Sequence, residues 1–200
     1  MPTFRSALAS LALIVAAPAA LASNLVSNGN FESADHSMWL QSGDTSAQYF
    51  SGDFSGSPLS NSANTVFADG AYPGLGYLGQ NIATLAGAKY TLAFDLQRID
   101  TSGGSLANPM SNEVLVTFGG HTVFHQTNTS GDWTHYTVSN LTATGAHTLL
   151  QFGDSNHYDY NQLDNVSLVM TAVPEPATAF MLMGGLVLMA ARRFRRPRPF

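Results

Sequence analysis

The 200-residue chain has no cysteine and little charge: Asp, Glu, Lys and Arg together make up 10% of it, against roughly 25% in an average soluble domain. Without cysteine there is no disulfide framework, so a stable domain must stand on its own hydrophobic core. Cations are scarcest in the middle. Arg5 stands near the start and five arginines stand between 192 and 198, leaving only Lys89 and Arg98 between 23 and 173. Every acid except Glu175 falls in that same stretch. So acidic a middle cannot displace counterions from a phosphate backbone, which excludes nucleic acid as a partner. Disorder is excluded as well, because 44% of the residues are hydrophobic and 10% aromatic, too many for a chain that buries no core.

Catalytic signatures are also missing. There is no metalloprotease helix motif, P-loop or dinucleotide fingerprint. Gly153-Asp154-Ser155 with His157 echoes a lipase motif, but it is compressed into five residues before a strand pattern and is read as chance. His121 and His125 share a strand face, where residues four apart lie about 13 Å from each other, too far for one zinc ion. Nothing points to a paired-carboxylate glycosidase. The reading is a non-enzymatic protein.

The two ends read as addresses. Residues 1–22 combine one Arg, an apolar run and Ala20-Leu21-Ala22, the pattern of a signal peptide cleaved before Ser23. At the other end Val173-Pro174-Glu175-Pro176 precedes an apolar stretch from Ala177 to Ala191 and an arginine cluster. That stretch is shorter than the about 20 residues that span a bilayer comfortably, and the arginines orient its end toward the cytoplasm. In this order, Pro-Glu-Pro, apolar helix and terminal arginines resemble the PEP-CTERM sorting signal. The resemblance covers 173–200. It implies recognition of Val173, Pro174, Glu175 and Pro176 by an exosortase, transient insertion in the inner membrane, and release to the surface of an exopolysaccharide-producing Gram-negative bacterium.

Between 23 and 172 short apolar alternations are separated by Gly, Ser, Asn, Asp and Thr clusters, the pattern of strands and turns. The clearest is Lys89–Arg98, in which Tyr90, Leu92, Phe94 and Leu96 share one face and Thr91, Ala93, Asp95 and Gln97 the other. Further strands are expected at 65–68, 77–82, 113–118, 122–126, 133–139, 147–152 and 162–170, with long loops at 51–64 and 100–111. Eight or so strands and no amphipathic helix predict one all-β domain, an antiparallel sandwich.

The order NLVSNGNFE, Trp39, LGQNIATLAGAKYTLAFDL, Gly131-Asp132-Trp133 and LDNVSLV resembles the galactose-binding-like jelly rolls that house many carbohydrate-binding modules. The resemblance implies adjacent opening and closing strands that share a structural calcium. Its matching positions here are Asn28, Asn30, Glu32 and Asp164, and calcium favours such oxygen donors. Sugar binding would need aromatic faces and planar polar groups. The candidates are Asp95 and Gln97 on the non-core face of one strand, Trp133 and His135 on another, and Tyr158 and Tyr160 in the 155–161 loop.

The sequence therefore predicts an exported carbohydrate-binding-like protein that holds extracellular polysaccharide, or alternatively a structural biofilm-matrix protein without a specific glycan. The mature chain is expected to begin near Ser23 and end near 173–176. Intact-mass measurement on protein from a producing strain checks this, and a mass that retains the arginine cluster overturns the processing claim.

Overall fold

A computed structural model describes residues 23–52, 63–99, 112–127, 131–157, 159–171 and 184–185. The expected signal peptide, the sorting residues Val173 to Pro176, Tyr158, the 100–111 loop and most of the 51–64 loop lie outside the described residues. Of the C-terminal segment, Gly184 and Gly185 are described and are helical.

Among the described residues ten strands follow in chain order: β1 (Leu40–Gly43), β2 (Gln48–Gly52), β3 (Thr65–Asp69), β4 (Gly76–Ala83), β5 (Lys89–Ile99), β6 (Asn112–Phe118), β7 (His121–Thr127), β8 (Thr134–Thr142), β9 (His147–Asn156) and β10 (Tyr160–Met170). They form two five-stranded sheets, β1-β4-β9-β6-β7 and β2-β3-β10-β5-β8. Every pairing is antiparallel, and the architecture is a jelly-roll sandwich. All eight expected strands are present. β1 and β2 are additional, and β2 occupies the first two residues assigned to the 51–64 loop. β1 is short and wholly exposed, so it shows no burial alternation; the β-ladder to β4 alone defines it.

Period-2 alternation builds the core. Tyr90, Leu92, Phe94 and Leu96 of β5 face Val114, Val116 and Phe118 of β6 and Leu150 and Phe152 of β9, all of them buried. Phe94 lies at the centre, edge-on to Phe152 at 5.3 Å and to Phe124 at 5.2 Å, an arrangement that aromatic quadrupoles favour.

One flank is closed by the opening segment. β3 pairs with β10 only through residues 161–163; beyond that, residues 25–29 take its place beside β10. Leu25 N donates to Leu168 O and Val166 N to Gly29 O, each at 2.8 Å. A Cβ at Gly29 would overlap the Val166 carbonyl, so this close approach requires glycine. Asn28 and Phe31 turn the chain with positive φ, 49° and 55°. Phe31 then drops fully buried among Trp39, Phe50 and Phe67, while Trp39 Nε1 donates to Asn28 O at 3.0 Å.

Phe31→Ala should therefore cost about 3–5 kcal/mol, the usual range for a truncated core phenylalanine. Leu85→Ala, at an exposed turn, should stay within about 0.5 kcal/mol. Urea melts check both, and a loss under about 1 kcal/mol at Phe31 would mean that the opening segment is not part of the core.

Candidate binding site at the loop end

The strand ends Gly43, Gln48, Asp69, Gly76, Ile99, Asn112, Thr127, Thr134, Asn156 and Tyr160 gather at one end of the sandwich, with the 44–47 and 70–75 loops between the first four. As the strands approach this end, their inward positions change from apolar to polar. Phe67 is followed in phase by Asp69, and Phe152 by Asp154 and Asn156; Leu163 is preceded in phase by Asn161, and Val114 by Asn112. All these polar side chains are buried, together with Gln48.

Buried polar groups must find partners, and here they bind one another and the loops. Asp69 accepts Gln48 Nε2 at 2.7 Å and Ala71 N at 2.9 Å. Ala71 O accepts Asn156 N at 2.9 Å. Asn156 Oδ1 accepts Asp159 N at 3.1 Å, and its amide donates to Asn161 Oδ1 at 3.3 Å. Asn161 Nδ2 in turn donates to Asp154 Oδ1 at 3.0 Å. Gly76 leaves room for this: a Cβ there would strike the Asp69 carboxylate and the Gln48 amide.

Asp69 and Asp154 line one small cavity of about 10 Å³ together with Asn161, Phe67, Leu96 and Phe152, about the size of a single water. Among the described residues neither carboxylate has a Lys or Arg partner; the ion pairs are His125–Glu113 and His135–Asp95. Burial pushes Asp69 up to about 6, opposed by its bonds from Gln48 and Ala71 and assisted by the charge of Asp44. Asp154 rises well above the carboxylate range, through burial first and the Asp69 charge second. Desolvation and a like charge both disfavour ionisation.

Above this layer stand exposed aromatics. Tyr72, exposed in the β3–β4 loop, stacks on His157 with centroids 3.9 Å apart and planes 28° apart. Tyr49, also exposed, meets Tyr160 edge-on at 5.9 Å.

The residues proposed from sequence divide between this end and the outer face of the second sheet. Tyr160 and the half-buried Trp133 stand at the loop end. Asp95 and His135 lie on the outer face in one cross-strand row with Asp164: Asp164 pairs with Asp95, and Asp95 with His135. His135 Nδ1 is 2.6 Å from Asp95 Oδ1. A bulge after Asp164 re-aims Asn165, whose amide donates to Asp95 Oδ2 at 2.8 Å. Gln97 departs from expectation. It is on the non-core face but buried, with its amide donating to Gly131 O at 3.0 Å, so it anchors the turn before β8 instead of offering a surface. Alternation identifies a face but not what covers it.

The positions expected for calcium are only partly gathered. Glu32 Oε1 accepts Thr65 N at 2.8 Å, and Asp164 Oδ2 accepts Asn64 Nδ2 at 3.0 Å, so the two carboxylates flank the 64–65 step. Burial raises Asp164, the Asn64 and Asn165 bonds lower it, and the charges of Asp95 and Glu32 raise it. Asn28 instead braces its own turn, accepting Ser33 N and donating to the Ser33 and Asp35 carbonyls. Asn30 is exposed and borders an open depression of about 440 Å³ beside Asn24, Asn28, Asn165 and Ser167. Among the described residues, no three His, Asp or Glu side chains come together as a metal cluster.

Sequence reasoning did not single out Asp69 or Asn156 and saw Asp154 only in a chance motif. The available signal was phase: Asp69 and Asp154 each follow an inward phenylalanine, Phe67 and Phe152, and Asn156 is the next inward position after Asp154.

Comparison with known proteins separates the tail from the domain. Residues 172–196 match the PEP-CTERM protein-sorting motif, which marks an exported protein. No curated protein matches the chain significantly. Among solved structures, TmCBM61 in complex with β-1,4-galactotriose is 17% identical, covers 74% of this chain and 99% of its own, and superposes with a TM-score of 0.56. The CBM22-1 xylan-binding domain of Xyn10C from Paenibacillus barcinonensis is 10% identical over 78% of this chain and 100% of its own, with a TM-score of 0.47. The enzymatically active domain of tailspike protein 4 from bacteriophage CBA120 is 18% identical over 74% of this chain and 21% of its own, also at 0.47. The likeness to TmCBM61 speaks to fold and not to ligand. The chain thus carries a PEP-CTERM sorting motif behind a jelly-roll domain of the kind found in carbohydrate-binding modules.

Proposed function

We propose that this protein is an exported, non-catalytic carbohydrate-binding module, sorted by an exosortase after transient insertion in the inner membrane of a Gram-negative bacterium. In this reading it contacts extracellular polysaccharide through its loop end. The observation that carries the proposal is the Tyr72 ring, exposed to solvent yet braced against His157. A held aromatic face suits the C–H face of a pyranose, and little side-chain freedom is lost on binding because the ring is already packed. The fold likeness to a module solved with β-1,4-galactotriose supports the class. The second reading, a structural matrix protein without specific glycan, is supported by the acidic, Lys-poor composition of 23–173, which favours dispersal over adhesion.

Affinity electrophoresis of the full chain in gels containing β-1,4-galactan, xylan or the producing strain's exopolysaccharide separates the two. Retardation is expected in at least one gel. Tyr72→Ala should weaken it about tenfold, as for a truncated aromatic anchor, with little change in melting temperature. Wild-type mobility unaltered in every gel favours the structural reading, and retardation unchanged in Tyr72→Ala removes the loop end as the site.

Structural calcium belongs to the same proposal. Glu32 and Asp164 are suitable donors, with further oxygens to be drawn from backbone carbonyls, and a cation there would relieve the like-charge burden on Asp164. Calcium at a hundredfold excess over Kd should raise the melting temperature on the order of 5–10 °C. Magnesium at equal ionic strength should do much less, and Asp164→Asn should abolish the gain. Equal midpoints in EDTA, magnesium and calcium exclude the site.

A further inference from the structure

We propose that Asp69 and Asp154 form a proton-operated clasp, which holds the loop end together while at least one of them is protonated and loosens it when both are charged. The clasp acts on the loop end whether or not a glycan binds there, so its test reads the protein alone.

The geometry is that of two carboxyl groups facing one small cavity between the sheets, without a cation to offset them among the described residues. Asp69 holds the 70–75 loop through Ala71 N and the start of β2 through Gln48. Asp154 holds Asn161, and through Asn156 the 157–159 turn. Ala71 O accepts Asn156 N, so the two halves are one network. Tyr72 and His157, the stacked pair at the surface, are the immediate neighbours of Ala71 and Asn156 in the chain. With one carboxyl protonated the network carries one negative charge; with both ionised it carries two across one small cavity, and the repulsion falls on the loops that hold them.

Among the described residues the charged groups around the pair are few. Asp44 of the 44–47 loop acts on Asp69 and Glu113 of β6 on Asp154, both in the same sense as the pair's own repulsion. Glu113 is itself bonded to His125 of β7 at 2.9 Å. Arg98 of β5 stands opposite Asn161 in register, with no ion pair to either carboxylate among the described residues. His157 and Asp159 belong to the 157–159 turn. The direction of the effect follows. Asp69 binds its proton up to about 6 in the folded chain but only to about 3.9 when unfolded, and Asp154 is raised in the same direction. The stabilisation is therefore complete below about 4 and is lost as pH rises through 6 and beyond.

Amide hydrogen exchange on the full chain, corrected for intrinsic rates, tests this between pH 5 and 8. The reporters are Ala71, Asn156 and Asp159, whose N–H groups sit in the network. The controls are Thr84, Gly87 and Gly119, bonded at the opposite end of the sandwich. Protection at the reporters should fall tenfold or more while the controls change little. Asp154→Asn keeps the bond from Asn161 and mimics the protonated group, so it should flatten the profile. Asp69→Asn should do the same, because Gln48 Oε1, buried without a partner, can accept from the new amide once the Gln48 amide turns. If one variant fails to fold the other decides, and if both fail the contrast between reporters and controls decides. A flat wild-type profile, a parallel loss at the controls, or a wild-type slope surviving in a folded variant would overturn the clasp. A slope carried by His157 or His125 would survive in that way.

Discussion

The sandwich depends on the docking of its opening segment against β10. β10 is the central strand of the second sheet and pairs with β5 along most of its length, but β3 covers its other edge only at 161–163. Residues 25–29 supply the missing neighbour with two backbone bonds, and Asn24 Oδ1 adds a bond from Leu168 N at 2.9 Å. Unpaired backbone groups at that edge would be costly where they are buried. Because the segment is pinned there, Phe31 reaches the interior and His36 stacks flat on Phe50 at 3.9 Å. The order of events is physical: a glycine allows contact, the contact sets two left-handed turns, and the turns aim an aromatic ring into the core.

The interior is graded along the strands. At mid-sandwich the inward positions are Phe, Leu and Val and the packing is aromatic; toward the loop end they become Asp, Asn and Gln. Such a layer contributes little net stability, since each bond replaces a bond to water, and burying carboxylates opposes it. What it adds is definition. A connected network fixes the loops it ties more specifically than hydrophobic contact would. The network bonds Ala71 and Asn156, the chain neighbours of the stacked Tyr72–His157 pair, and in the proposed binding reading it is what holds that ring in place.

The outer face of the second sheet holds a different arrangement. There Asp164, Asp95 and His135 form a row across three strands, with Asn165 turned onto it by a bulge. Residues considered separately in the sequence, Asp164 with Glu32 and Asp95 with His135, become neighbours because antiparallel register brings residues 69 and 40 positions apart side by side. Like charges directly opposite are unfavourable, and the amides of Asn64 and Asn165 are the groups that moderate them.

The sequence by itself determined the architecture class, the C-terminal sorting motif and eight of the ten described strands, because period-2 alternation and turn residues are local properties and a half-buried sheet enforces them. It also determined which residues of β5 face inward. β1 and β2 were not legible: an exposed strand of Leu-Gln-Ser-Gly composition has no hydrophobic contrast, and only its partner defines it. The tertiary structure alone decided that Gln97 is covered, that Asn28 serves its own turn, and that Asp69 and Asp154 share a cavity. Each of these depends on contacts between residues distant in the chain. Alternation gives the side of a strand on which a residue lies; register, loop cover and the neighbouring sheet decide what it meets there.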